Sequence, residues 1–337
     1  MKHYTVFAEK GRFGGWPANY GIWNWGSTIS VGFQDCAFRL VGEGNHAIDK
    51  DKPRILKQAR FIPSEERWTI EEPQTFQQTN MRVLQSDQWS ESLDFTAQET
   101  GLFFLRHLES DGAMYSYYTI DAGHSWIGPF EVRIFDGRKI DPRIDYVIEG
   151  PQQATVFLTA YKDDGQEGRV FCIRTVDGGK SWVFCSWIGK EEAGFTIMPS
   201  TVKLNDGTFL VAVRWQREGR WGIDLYSSTD DCKSWTVLSQ VVEGEGLSNP
   251  PSMLQLADGR LCLCYGYRSS PYGIRYKLSN DNGVSWQDEK ILREDGGNWD
   301  LGYVRSTQLP SGDVLAAYYF CADKSKERTI EATVFTP

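Results

Sequence analysis

A six-bladed β-propeller of four-stranded antiparallel blades, all β, is expected from two periodic signals and the chain length. Five tryptophans, Trp68, Trp126, Trp182, Trp235 and Trp286, return with gaps of 58, 56, 53 and 51 residues. Between the later returns, and once after the last, stands a second turn motif, whose glycines Gly207, Gly259 and Gly312 lie 52 and 53 residues apart. A fixed period of this length means one supersecondary unit copied around an axis. At about 55 residues per unit, 337 residues hold about six blades.

The first signal is a turn. Four of the tryptophans end a pattern Ser/Thr-x-Asp-x-Gly-x-Ser-Trp: Thr119 to Trp126 through Asp121 and Gly123, Thr175 to Trp182 through Asp177 and Gly179, Ser228 to Trp235 through Asp230, and Ser279 to Trp286 through Asp281 and Gly283. The Asp accepts hydrogen bonds from backbone N–H groups of its own turn, the Gly supplies a positive φ, and the Trp anchors the outgoing strand. Cys232 occupies a Gly position, which is expected to strain or reshape its turn. Around Trp68 only the Trp survives, in the frame Phe61 to Trp68. Groups that hold a turn's own amides are not free to meet a ligand, so these motifs are read as architecture.

The second signal is a hairpin: Leu204-Asn205-Asp206-Gly207, Leu256-Ala257-Asp258-Gly259 and Leu309-Pro310-Ser311-Gly312 each lead into an apolar strand, and Gln98-Glu99-Thr100-Gly101 looks like an earlier copy. Two hairpins per period give four strands, a propeller blade. Five tryptophan turns fit six blades if the last is closed without one, by strands from both termini. One propeller fills residues 1–337 as a single domain.

Hydrophobic residues at 40% and aromatics at 14% supply a large core. The 13 Trp and 15 Tyr exceed what blade packing alone needs, and aromatic faces also line sugar sites. A net charge of −9 argues against sequence-independent nucleic-acid binding, which rests on a positive field. It leaves room for an anionic small ligand at a local Arg cluster. No run approaches 18 apolar residues, so no membrane span is expected. The opening residues Met1 to Lys10 lack the apolar core of a signal peptide, and the seven scattered Cys look like reduced core residues. A cytoplasmic protein is expected, or a secreted or periplasmic one if a leader has been removed. Cys262 and Cys264 share a strand face but are too few for zinc; neither metal nor cofactor is expected, and the expected partner is a carbohydrate.

The repeated turn resembles the Asp-box, or bacterial neuraminidase repeat, and the chain is similar over most of its length to a divergent branch of the sialidase superfamily. That resemblance implies three Arg holding a carboxylate, a Tyr nucleophile with a Glu beside it, and an Asp acid/base. The first Arg falls on Arg12, in Gly11-Arg12-Phe13, without the usual Arg-Ile-Pro. The second falls on Arg214 at the end of its apolar strand, and the third on Arg275, with Arg268 as the alternative on the neighbouring strand. The Tyr falls on Tyr303. Two elements depart. Met198 stands where the Glu is implied, and the first-blade loop offers Asp35, His46, Asp49 and Asp51 for the acid, with Asp49 carried forward as the candidate.

The missing Glu matters because a phenol with a pKa near 10 is only about 0.1% ionised at neutral pH. Without an adjacent base, Tyr303 is a weak nucleophile; Asp300 is three residues away. A further cluster, Asp141-Pro142-Arg143-Ile144-Asp145-Tyr146, reads either as a salt-bridged strand entry or as Arg143 binding an anion with Asp145 as acid/base. His46 reads as a loop residue or a site residue, and Trp16 as interblade packing or a sugar platform. Arg268 reads also as a cross-strand ion pair. The resemblance implies a glycoside hydrolase acting on a terminal carboxylated sugar. The alternatives are a catalytically silent carbohydrate-binding propeller and a polysaccharide lyase on the same scaffold.

Overall fold

The computed structural model describes residues 1–42, 44–76, 83–84, 89, 93–106, 113–135, 137–247, 249–323 and 326–337, residue 144 by its backbone alone. The fold is a six-bladed β-propeller. The described strands fall into six antiparallel sheets. By contacts the chain forms two compact units, one of residues 1–77, 219–221 and 244–337, the other of residues 78–218 and 222–243.

The first unit opens with β1 (Lys2–Phe7), β2 (Arg12–Gly15), β3 (Ile22–Asn24), β4 (Ile29–Ala37), β5 (Ile55–Ile62) and β6 (Arg67–Glu71). Here β2, β4, β5 and β6 pair in that order, with β3 also on β4. The second unit holds the three-stranded sheet β7 (Gly101–Leu105), β8 (Met114–Thr119) and β9 (Ile127–Val132). It also holds β10 (Ile140–Gly150), β11 (Gln153–Tyr161), β12 (Glu167–Thr175) and β13 (Val183–Trp187). Next come β14 (Phe195–Lys203), β15 (Phe209–Arg217), β16 (Arg220–Ser228) and β17 (Thr236–Glu245), which belong to it except at the tip. The first unit resumes with β18 (Pro251–Gln255), β19 (Leu261–Tyr267), β20 (Tyr272–Ser279) and β21 (Lys290–Gly296), then β22 (Gly302–Gln308), β23 (Val314–Phe320) and β24 (Thr329–Phe335). The last sheet runs β22-β23-β24-β1, so the N-terminal strand completes it, with Lys2 opposite Val334.

The second strands β11, β15, β19 and β23 read as apolar runs because almost every residue on them is buried. Within the first unit, Cys264, Ile274 and Leu278 pack on Val304, Ala316 and Tyr318. Within the second, Phe157, Cys172 and Val211 share a core with Tyr226 and Cys232. Each such large side chain contributes on the order of 1.5–3 kcal/mol through burial.

The four tryptophan turns are near-identical hairpins, three between the third and fourth strands of their sheets and one between β8 and β9. Asp121 Oδ1 accepts from the Ser125 N–H (2.9 Å) and Oδ2 from its hydroxyl (2.6 Å), while Thr119 Oγ1 donates to Asp121 (2.7 Å) and accepts from the Gly123 N–H (2.9 Å). Asp177, Asp230 and Asp281 repeat these contacts. Cys232 does not reshape its turn: its N–H still donates to Ser228 Oγ at 3.0 Å. The departure is instead strain, since Cys232 adopts φ 62°, a region costly for any side chain with a Cβ.

Hydrogen bonds from Ser285 and Ser279 hold the Asp281 carboxyl down at about 2. At Asp121 burial pushes upward, but the Ser125 and Thr119 contacts prevail and the carboxyl still lies low. A carboxyl whose folded pKa lies below its unfolded value of about 3.9 contributes stability that is present above that value and lost as pH falls through the folded one. The melting temperature should therefore fall between about pH 4 and pH 2. An Asp281→Ala variant should lose part of that fall. An identical acid profile in the variant would mean that the turn bonds add nothing to stability.

Candidate functional site

Three inner strands begin with the same device. The pairing of β10 with β11 slips between Asp141 and Asp145, that of β14 with β15 between Ile197 and Ser200, and that of β22 with β23 between Gly302 and Arg305. Inside these bulges Arg143, Met198 and Tyr303 adopt φ of 21°, 58° and 50°. Left-handed backbone at a non-glycine residue costs on the order of 1–3 kcal/mol and clusters at functional sites. Bulges re-aim side chains and gather there too.

In the first unit, the Tyr303 bulge stands in a dense polar cluster. His46, from the loop between β4 and β5, places Nδ1 2.6 Å from Asp300 Oδ1. Asp300 is 1% exposed. Its Oδ1 also accepts from the Tyr319 hydroxyl (2.8 Å), and Oδ2 accepts from Arg328 Nε (3.3 Å) and the Ala47 N–H (3.4 Å). Burial pushes the Asp300 carboxyl upward, yet the His46 hydrogen bond and the Arg328 and Tyr319 contacts hold it below the usual carboxylate range. Burial and the Asp300 charge push the Tyr319 phenol well above its ordinary value.

Arg268 closes the cluster. Its Nη2 donates to Tyr319 Oη (2.9 Å) and to the Leu301 carbonyl (3.1 Å), and its guanidinium lies 5.3 Å from the ring centres of both Trp299 and Tyr303. The His46 ring meets Trp16 edge-on at 5.0 Å, Trp299 at 5.7 Å and Tyr303 at 6.5 Å. Trp16 itself has φ 60° and caps the short 3-10 helix Pro17–Asn19. Arg305, buried, donates to the Ala18 carbonyl of that helix (2.9 Å). Behind Tyr303 sits Asn249, fully buried, whose Oδ1 accepts from the Tyr303 N–H (2.8 Å) and whose Nδ2 donates to the Leu301 carbonyl (2.9 Å).

Among the described residues, His46 Nε2 has no protein partner, and the side chain is 31% exposed. A neutral imidazole that donates from Nδ1 carries its lone pair on Nε2. In that form the pair would be an imidazole oriented by a carboxylate. Arg328 lies 3.3 Å from Asp300, and Arg268 reaches the same carboxylate through the Tyr319 hydroxyl.

The second unit holds a charged group. Arg143 lies 2.9 Å from Glu167 and 3.4 Å from Asp141. Burial raises the Glu167 carboxyl against the pull of Arg143, with Asp141 adding to the rise and Arg214 and Arg106 opposing it. Arg214, 7% exposed, lies over the Phe195 ring (5.2 Å), and its Nη1 is 3.4 Å from Met198 Sδ.

The other candidates have protein partners outside this cluster. Arg12 Nε donates to Asp35 (2.7 Å), which also meets Lys57 (3.0 Å). Arg275 lies over Tyr267, donates to the carbonyls of Arg293, Ile274 (3.3 Å) and Pro271 (3.1 Å), and pairs with Glu289 (3.3 Å). Asp145 accepts from the Thr201 N–H (2.7 Å), Ser200 Oγ (3.0 Å) and the Tyr146 N–H (3.1 Å), tying β10 to β14. Asp49 accepts from the Asp51 N–H (3.1 Å) and faces Arg39 (3.6 Å). The structure thus groups Trp16, His46, Arg268, Asp300 and Tyr303 in one cluster of the first unit. Sequence reasoning missed Asn249, Trp299, Tyr319 and Arg328. The adjacency of Trp299 to Asp300 was the one local signal available.

The fold is similar to that of several solved structures. A protein of unknown function from Dyadobacter fermentans matches with a TM-score of 0.75 at 19% identity, over 98% of this chain and 97% of that one. An alpha-L-arabinofuranosidase of Fusarium graminearum, solved with an iminosugar inhibitor, matches with a TM-score of 0.62 at 11% identity over 98% of both chains. The NanB sialidase of Streptococcus pneumoniae matches with a TM-score of 0.62 at 11% identity, over 98% of this chain and 70% of that one. No protein-family model matches the chain, and no curated protein matches its sequence.

Proposed function

We propose that this chain is a glycan-active propeller enzyme of the glycosidase-like kind, which breaks a glycosidic bond beside an acidic sugar. The observation that carries the reading is the His46–Asp300 pair, its imidazole partly exposed and its ring against Trp16, Trp299 and Tyr303. Flat aromatic faces suit sugar rings, and a base held by a buried carboxylate suits proton transfer at their edge. The similarity to an arabinofuranosidase and a sialidase supports a carbohydrate ligand on this fold, and the Asp-box turns support a divergent sialidase-superfamily origin. Arg268 is favoured over Arg275 as the group that receives the carboxylate, because Arg275 serves three nearby carbonyls and Glu289.

A second reading is a binding propeller without turnover. It is favoured by Met198, whose sulfur faces Arg214 at the position where a carboxylate base is implied.

The test is a panel of uronate-bearing and neutral oligosaccharides, assayed for binding by calorimetry and for cleavage by mass spectrometry. Acidic members should bind and be cleaved. Arg268→Ala should weaken binding about 10-fold or more, as loss of a charge-assisted hydrogen bond does. Binding confined to neutral members, or none at all, would overturn the reading; binding without cleavage would favour the second.

A further inference from the structure

We propose that Cys172, Cys185 and Cys232 form a disulfide-exchange site in the second unit. Cys185 takes up a small disulfide, and the bond passes inward until it joins Cys172 to Cys232. This goes beyond the glycan reading and does not depend on it.

The pointer is a residue out of pattern. Cys232 stands where the three sister turns have Gly123, Gly179 and Gly283, and it holds φ 62°. A glycine there carries no Cβ penalty. The turn makes no use of the thiol, since its bond to Ser228 Oγ comes from the backbone N–H. What the side chain gains is its neighbours. Cys172 and Cys232 are fully buried in one core, with the partly buried Cys185 packed against it.

The register brings the thiols together. β12 pairs with β13 so that Cys172 faces Ser186 and Ile173 faces Phe184, which leaves Cys185 as the extra residue of a bulge. The Cys172 thiol lies in hydrogen-bonding contact with those of Cys185 and Cys232. Ser186 ties the group further: its Oγ donates to the Cys232 carbonyl (2.6 Å) and lies 3.5 Å from Cys172 Sγ. All three are free thiols. The middle one meets two partners and the partly buried one gives access, an order suited to passing a bond inward.

The exchange balances. The Cys185 thiolate attacks one sulfur of a small disulfide such as oxidised glutathione; that S–S bond breaks, and one thiol departs. Cys172 attacks the Cys185 sulfur and expels the second thiol. Cys232 then attacks Cys172 and returns Cys185 as a thiol. The protons lost by Cys172 and Cys232 end on the two departing thiols, and the two electrons lost by the protein reduce the small disulfide. The Cys185 contact lowers the Cys172 thiol, but the Cys232 contact and burial prevail and lift it to about 12. Contact with Cys172 and burial push Cys185 up as well. Thiolate is therefore scarce at neutral pH and exchange slow, and such thiols leave poorly, so the bond once formed resists reduction. Of the two bonds open to Cys172, that to Cys232 closes the longer loop and ties the β10–β13 sheet to the turn between β16 and β17.

The experiment uses the full chain, reduced and then held folded in oxidised glutathione, with thiols alkylated and disulfides mapped by peptide mass spectrometry. Expected are a transient glutathione adduct on Cys185 and then one Cys172–Cys232 bond, formed about tenfold faster per pH unit between about pH 7 and pH 9. Cys185→Ser should slow that bond at least about tenfold. Cys232→Gly restores the residue of the sister turns and should stop the relay at a Cys172–Cys185 bond. No bond in the folded chain, bonds that form only once the chain is denatured, or bonds at Cys36, Cys262, Cys264 or Cys321 instead would each overturn the site. A Cys172–Cys232 bond formed at the parent rate in Cys185→Ser would overturn the relay, as would a Cys232→Gly variant that forms no bond.

Discussion

Turnover of the acidic glycan should fall by about two to four orders of magnitude in His46→Ala, with KM and the melting temperature little changed. The side chain is 31% exposed and its one protein hydrogen bond is to Asp300, so its removal opens no large cavity. Asp300→Asn should behave differently. The amide keeps the shape but removes the charge that opposes Arg328 and presents an N–H₂ where the carboxylate accepts from His46, Tyr319 and Arg328. Leaving one partner of a buried ion pair uncompensated costs about 3–5 kcal/mol. That variant should lose activity and melt earlier. Initial rates and thermal melts of the two, measured together, separate proton transfer from scaffold. Wild-type turnover in His46→Ala would remove His46 from the chemistry, and an unchanged melt in Asp300→Asn would remove Asp300 from the scaffold.

Gly302→Ala should be the most damaging small change near the site. Gly302 has φ 102°, and a Cβ there would lie 2.4 Å from Asn249 Nδ2. On the other side, a Cβ on Gly266 would lie 2.5 Å from the same nitrogen. Asn249 is thus held between two glycines while it grips the Tyr303 N–H and the Leu301 carbonyl. Displacing it leaves buried backbone groups unpaired, at about 1–3 kcal/mol each, on top of the φ penalty. A loss of about 3 kcal/mol is expected, with turnover lost as Tyr303 leaves its left-handed conformation. Chemical denaturation and rate measurements check both; a variant as stable and as active as the parent would show that the constriction positions nothing.

Much of the fold was legible because each turn carries its own chemistry. Thr119, Asp121, Gly123 and Ser125 satisfy one another within seven residues, so the pattern survives being read as a string. The site was legible in part. Arg268 and Arg275 look alike on paper, each beside an aromatic strand; only the sheet register shows that Arg275 turns to nearby carbonyls. Tyr319 reads as one more apolar residue of β23, and its role comes from Asp300, nineteen positions away in sequence. Asn249 acts on Tyr303 across 54 positions. Local pattern has no access to such partners. Bulges are hidden for the same reason, since an extra residue becomes visible only against its partner strand.

The pairing of β1 with β24 bears on how the chain comes to be folded at all. Residues 2–7 leave the ribosome more than 300 residues before the strand that satisfies their backbone groups. Through most of synthesis β1 is an unpaired edge, open to wrong partners. Closing a loop of more than 320 residues is entropically slow, although its cost grows only with the logarithm of length. Ring closure is therefore the natural late step of folding, and new ends cut into an exposed turn, with β1 fused directly behind β24, would turn that longest pairing into a local hairpin.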